Sequence, residues 1–336
     1  MLSKEQIQAY LSMDRLGVIY GKNESAAGLF VLGAELYVEP RERAQLRLDM
    51  LDVQEDYYKR FNADLDGMRY NTFTDTEPGS KKVKLKNGEN PFPWVRQIIG
   101  YPKKHDAYCN ILYQGEFTHP DFPNKKKFQI TPWLSTFLVI REAEKELSYY
   151  ASSIPVSDGK AKLHFDVWRE CILTWAKRLR PAHGLAGLTI VMADDTIDGP
   201  FILPTIKEYP GLDVQVPINF SMCVEQVFNR IKCVNWLTVL GDKIVEELGG
   251  LSILRDELES DCTLYPYPGG VLIQAGEAPH LADVEVPGSS ELLEPYRKVA
   301  RITKRVRFKD YNWHLIQLDE SFNEIEEAKK WVSRFD

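Results

Sequence analysis

The stretch STFLVIREAEKELSYYASSI, residues 135–154, decides the fold class. Ser135–Arg141 and Leu147–Ile154 are β-rich apolar runs, and only the polar link Glu142–Glu146 separates them. So short a link joins antiparallel neighbours, because a parallel crossover needs a dozen residues or more. The chain therefore begins its clearest unit with a hairpin.

Helical periodicity follows at once. Trp168, Cys171, Ile172, Trp175 and Leu179 recur along one helix face, and Pro181 stops that helix. Leu185–Ala193 then reads as a buried strand. Further on, Val234–Leu240 is strand-like, Asp242 is placed to cap a short helix, and Gly249-Gly250 ends it. Leu251, Leu254 and Leu258 continue a helical turn or two, and Ser321-Phe-Asn-Glu324 has a capping-box pattern before Ile325, Ala328, Val332 and Phe335.

Upstream, Ala27–Val38 is a continuous apolar run, so a buried strand is expected. Pro40 is placed to open a helix whose stripe is Leu46, Met50, Val53, Tyr57 and Phe61. Met68–Phe73 reads as a returning strand. Residues 76–132 are rich in Pro, Gly, Lys and Asn, which suggests a lobe boundary. Strands and helices intermix without steady alternation. The expectation is an α+β fold of mixed, largely antiparallel sheets with packed helices, in two lobes: 1–130 and 131–336.

Composition narrows the function. The 336 residues carry a net charge of −7, with 44% apolar residues. That balance argues against a broad nucleic-acid-binding surface, which requires clustered Lys and Arg. Lys81–Lys86 and Lys125–Lys127 read as solvated loops. Five widely spaced cysteines without a C-x-x-C pair fit reduced thiols, hence a cytoplasmic protein, and no stretch is apolar enough for a membrane helix.

Motifs for chemistry are sparse. Asn62-Ala-Asp64-Leu-Asp66-Gly67 starts like a calcium loop, but its twelfth position is Phe73 in place of the bidentate Glu. No phosphate cradle, nucleophile elbow or H-x-x-x-H pair occurs. No cofactor or metal is expected. Glu277, His280 and Asp283 could supply an acid, a base and a ligand, which makes a hydrolase or metal-dependent enzyme the rival reading. Yet Pro279 and the adjacent glycines fix no spacing between them, and Thr263–Tyr267 with Val271–Gln274 reads more simply as a hairpin turning at Pro268-Gly269-Gly270.

In chain order, Asp198-Gly-Pro, Pro210-Gly-Leu-Asp213, Val234-Asn-Trp-Leu-Thr-Val-Leu-Gly241 and Gly269-Gly-Val-Leu-Ile-Gln-Ala-Gly276, with Pro279 and Asp283, form an ordered set. Together they resemble the TsiV-like immunity proteins of type VI secretion systems, best over about 130–318. Position 282 is Ala where a glycine is expected before the aspartate. The resemblance implies a non-enzymatic protein that neutralises a cognate effector toxin, often a nuclease, in the cytoplasm and in a tight stoichiometric complex. An adaptor with an unrelated partner is the third possibility. The free chain is expected as a monomer or homodimer, with no nucleic-acid or membrane partner.

Candidate toxin contacts follow from charge and shape. Asp194, Asp195 and Asp198 follow a strand end, and Glu257, Glu259 and Asp261 form a second acidic group. Tyr265 and Tyr267 alternate in one strand, so both should share a face, with exposure favoured over burial.

Overall fold

The computed structural model describes residues 10, 18–20, 26–61, 68–74, 77–85, 90–99, 108–115, 131–140, 146–158, 162–192, 198–224 and 228–336. The apolar run near the start becomes β2 (Ala26–Val38), joined by β1 (Val18–Tyr20). Helix α1 (Arg43–Phe61) follows, with its expected stripe buried. Its first turn is held by Glu42, whose carboxylate accepts from Ala44 N at 3.0 Å and Gln45 N at 2.7 Å. Pro40 lies outside the helix: a side-chain acceptor for orphan N–H groups sets the start, so the expectation at Pro40 is corrected.

Next come β3 (Met68–Thr74), β4 (Glu77–Leu85), α2 (Phe92–Ile99) and β5 (Tyr108–Gly115). The deciding hairpin is β6 (Leu134–Ile140) and β7 (Ser148–Ile154), paired antiparallel from Leu134↔Ser153 to Leu138↔Tyr149. Helix α3 (Phe165–Leu179) leads into β8 (His183–Met192), then α4 (Gly199–Glu208), β9 (Asp213–Val214) and α5 (Pro217–Cys223). The last part holds β10 (Leu237–Gly241), α6 (Asp242–Glu247), α7 (Leu251–Leu258), β11 (Cys262–Tyr267), β12 (Gly270–Ala275), α8 (Glu294–Thr303) and α9 (Glu324–Val332).

Two helix starts differ from expectation. Gly241, not Asp242, occupies the cap of α6, where a Cβ would strike the carbonyls of Pro181 and Ala182 at 2.7 and 2.9 Å. Asn323, not Ser321, caps α9 by accepting from Glu326 N at 3.2 Å. Ser321 instead bonds Asp319, and Glu324 accepts from Leu318 N, so the capping box is spent on the preceding turn.

The fold is α+β, and the described residues build one twelve-stranded sheet in the order β11-β12-β10-β8-β2-β7-β6-β5-β3-β4, with β1 and β9 attached to β2 and β8. The short β8–β9 ladder is parallel. Strand β2 lies between β7 and β8, and β5 pairs directly with β6, so the sheet runs without a break across residue 130. Helices cover both faces of its middle: Tyr150 meets Trp175 of α3 at 5.4 Å, while Tyr37 meets Phe220 of α5 at 5.0 Å. This explains why β7, β8 and β12 are buried along their length and read as unbroken apolar or small-residue runs. At one edge, Pro266 removes a donor from β11, which discourages unwanted strand pairing.

Candidate functional site

The segment that invited a catalytic reading is a hairpin, with β11 and β12 paired from Cys262↔Ala275 to Tyr267↔Gly270. Gly270 is required because a Cβ there would lie 2.1 Å from the carbonyl oxygen of Leu240. Beyond the hairpin the chain packs on another motif: Gly211 N donates to Leu281 O at 2.7 Å, and a Cβ at Gly211 would sit 1.8 Å from His280 O. Trp236, wholly buried, directs its indole N–H to Gly276 O at 3.4 Å. Three of the four ordered motifs thus meet one another or the Pro279–Asp283 loop, and the contacts are largely backbone contacts.

The three ionisable residues of this loop have different partners. Asp283 Oδ1 accepts from Glu285 N at 2.8 Å, and its carbonyl accepts from Ser289 Oγ at 2.8 Å. His280 is half-buried, its Nδ1 lies 3.4 Å from Tyr10 Oη, and burial pushes its imidazole below the usual value. Glu277 is exposed, and its carbonyl accepts from Gln274 Nε2 at 3.2 Å. Among the described residues, no three His, Cys, Asp or Glu side chains come together as a metal site. The calcium-like start at 62–67 lies outside the described residues.

The proposed contact residues divide. Asp194 and Asp195 lie outside the described residues. Asp198 is 5% exposed at the start of α4, so the expectation of a solvent-facing carboxylate fails there: the tight packing of Gly199 against Gln317 draws it inward. Glu257, Glu259 and Asp261 are all exposed, and Asp261 pairs with Lys298, whose ammonium and Ser260 hold its carboxyl below the usual range. Tyr265 is half-buried, its hydroxyl donating to Gln274 Oε1 at 3.0 Å. Tyr267 is 7% exposed, so the exposed pair is corrected to one accessible ring and one core ring. The Tyr267 hydroxyl lies close against Gly270, where an added Cβ would stand 3.0 Å from the oxygen.

A charge cluster escaped the sequence reading. Lys232 Nζ lies 2.7 Å from Glu35 Oε2 and 3.4 Å from Asp213 Oδ2, all three buried. Glu35 also accepts from Val216 N at 2.6 Å and Tyr37 Oη at 2.7 Å. Burial lowers the lysine's proton affinity, but Asp213 and Glu35 outweigh it and keep the ammonium charged. Burial and, to a smaller degree, Asp213 push Glu35 up against the pull of Lys232. The signal was a glutamate inside the apolar run Ala27–Val38. The adjoining void has no room for a water molecule, so this cluster ties strands together and offers no place for a substrate.

Two surface features remain. A cleft of ≈ 550 Å³ borders the hairpin turn, with Glu39, Arg41, Arg180, Asp242 and Lys243 among its walls. Lys243 closes on Glu39 at 2.6 Å and Arg41 on Asp49 at 2.8 Å, so most of its charge is already paired. The second feature is electrostatic. Residues 242–294 hold twelve Asp and Glu against two Lys and Arg, so this stretch alone is more negative than the whole chain.

Comparison with known proteins gives a consistent result. A family model described as type VI immunity for VRR-NUC, TsiV, matches residues 139–335. Among solved structures, the Pseudomonas aeruginosa T6SS protein PA0821 is similar in fold, with a TM-score of 0.75 at 21% identity over 99% of this chain and 91% of that one. No curated protein sequence matches the chain.

Proposed function

The chain belongs to the TsiV family of type VI immunity proteins, and from that premise we propose that it neutralises a VRR-NUC nuclease effector by binding it directly. The family match carries this reading. The complex is stoichiometric and long-lived, because a toxin that acts at few copies is controlled only if it is released slowly. It forms in the cytoplasm, where the effector's nucleic-acid target lies. No helix among the described residues is long and apolar enough to cross a membrane.

Binding without turnover fits what the side chains do. The buried Lys232–Glu35–Asp213 group has no access for a substrate, and Asp283 is committed to its own turn. The test is titration of purified effector nuclease with this protein. Linear loss of nuclease activity ending near one equivalent is the expected result, together with a co-eluting complex. Continued loss of effector activity at catalytic amounts of this protein would show an enzyme instead. The triple variant Glu277→Ala/His280→Ala/Asp283→Ala should still protect cells, provided circular dichroism shows that it is folded.

A further inference from the structure

We infer that the β11 edge of the molecule, from the Glu257–Asp261 turn to the Val284–Leu292 segment, is the surface that docks a basic protein partner. The inference rests on the immunity reading and assigns it a face. Several contacts hold these segments at one end of the β11–β12 hairpin. Gly276 N donates to Asp261 O at 3.1 Å, Cys262 Sγ lies 3.9 Å from Pro295 O, and Lys298 reaches Asp261 from α8. The Val284–Leu292 segment is fastened by Val284 N to Glu208 O at 3.0 Å and by Ser289 Oγ to Asp283 O.

Charge and apolar surface occur together here. Glu257, Glu259, Glu285 and Glu291 are exposed, and none has an ion-pair partner among the described residues. Flanking Glu285 and Glu291 along the second segment are Val284, Val286 and Leu292, exposed at 58%, 52% and 45%. Exposed apolar side chains among unpaired carboxylates fit a partner with apolar hollows inside a basic rim. A nuclease that grips a polyanion must carry clustered Lys and Arg, so charge complementarity selects the effector as the occupant. On α8 beside this surface, Lys298 is drawn to Asp261 and Arg297 and Arg301 to Glu294, while the four carboxylates above stay open to a partner's cations.

A second apolar group, Ile218 and Met222 of α5 with Trp313, lies on a different part of the chain. It serves as the control. Binding of a VRR-NUC nuclease effector that this protein neutralises in the titration, in a catalytically inactive form, is measured by surface plasmon resonance. The variants are Glu257→Lys/Glu259→Lys, Val284→Ala/Leu292→Ala and Met222→Ala/Trp313→Ala, each checked for an unchanged melting temperature.

The charge-reversed variant is expected to associate about tenfold more slowly at low salt, the difference shrinking as salt screens the charges. The apolar variant is expected to dissociate about tenfold faster. The control variant should bind like the unaltered protein. If no complex forms with the unaltered protein, the immunity reading fails and this inference with it. If the complex forms but only the control variant weakens it, or neither surface variant does, the immunity reading stands and this face is wrong.

Discussion

Lys232 Nζ sits 2.7 Å from Glu35 Oε2, joining residues 197 positions apart in the chain. The contact ties β2 to the segment before β10, while Asp213 of β9 completes the group. An ammonium and two carboxylates held away from water are stable only together. Lys232→Met leaves both carboxylates buried without their counter-ion. It should cost about 3–5 kcal/mol, as expected for breaking a buried pair. A denaturant midpoint close to that of the unaltered protein would show that the group is relaxed by water.

His183 predicts a pH dependence. Its ring is fully buried between Tyr37 at 4.6 Å and Phe220 at 5.3 Å, and neither nitrogen has a hydrogen-bond partner among the described residues. Burial, helped by Lys232, pushes its pKa down to about 3. Between pH 6.5 and about 3 the unfolded chain protonates this imidazole and the folded chain does not. Stability therefore falls as pH falls through that window, by up to about 1.4 kcal/mol per pH unit from this group. The contribution is complete above 6.5. His183→Leu should flatten the acid limb of stability against pH; an unaltered slope would place its origin elsewhere.

Ala282 occupies the left-handed region with φ of 55°, at the position where the motif pattern calls for glycine. An L-residue there is strained by roughly 1–2 kcal/mol. Glycine would relieve the strain but add about 0.4–1 kcal/mol of unfolded-state entropy. Ala282→Gly is thus expected to be neutral or to stabilise by up to about 1 kcal/mol. A loss of more than that in thermal unfolding would mean that the buried methyl matters more than the backbone.

Local patterns made much of this fold legible. The β6–β7 hairpin, the α3 stripe and the glycine turn at 269–270 each follow from a few neighbouring residues. What the sequence could not expose is long-range. β2 lies between strands 110 or more residues later, and Glu35 looks like an ordinary strand residue until Lys232 arrives opposite it. Alternation in β11 gives Tyr265 and Tyr267 the same expected exposure, yet one ring is accessible and the other buried. Their burial depends on where β11 ends against β12, which no local period encodes. The acidic excess of 242–294 was countable from the start, but only the packing of α8 against the hairpin showed which carboxylates remain unpaired.

The same sheet predicts the behaviour of a fragment. Residues 131–336 lack β2, so β7 and β8 would each lose the partner on one side and expose long unpaired edges. The fragment is expected to aggregate or remain unfolded when expressed alone. Restoring residues 26–38 as a tethered strand should recover solubility. A monodisperse, cooperatively unfolding 131–336 fragment would favour two independent lobes.

Tyr267 separates packing from recognition. Its ring is buried beside the turn, its hydroxyl has no hydrogen-bond partner among the described residues, and a Cβ on Gly270 would stand 3.0 Å from that oxygen. An unsatisfied buried hydroxyl lowers stability, so Tyr267→Phe should be neutral or raise it by about 1 kcal/mol. Tyr267→Ala removes the ring and should lower stability by about 3–5 kcal/mol. Neither change adds or removes exposed effector-facing surface. Effector affinity of the folded Tyr267→Phe protein should therefore stay within about twofold of the starting value, whereas any interface hot spot would lose far more. Tyr265→Ala is the companion test, because that ring is accessible and touches Gln274 through its hydroxyl. Affinity lost in Tyr267→Phe at unchanged melting temperature would return this residue to the interface.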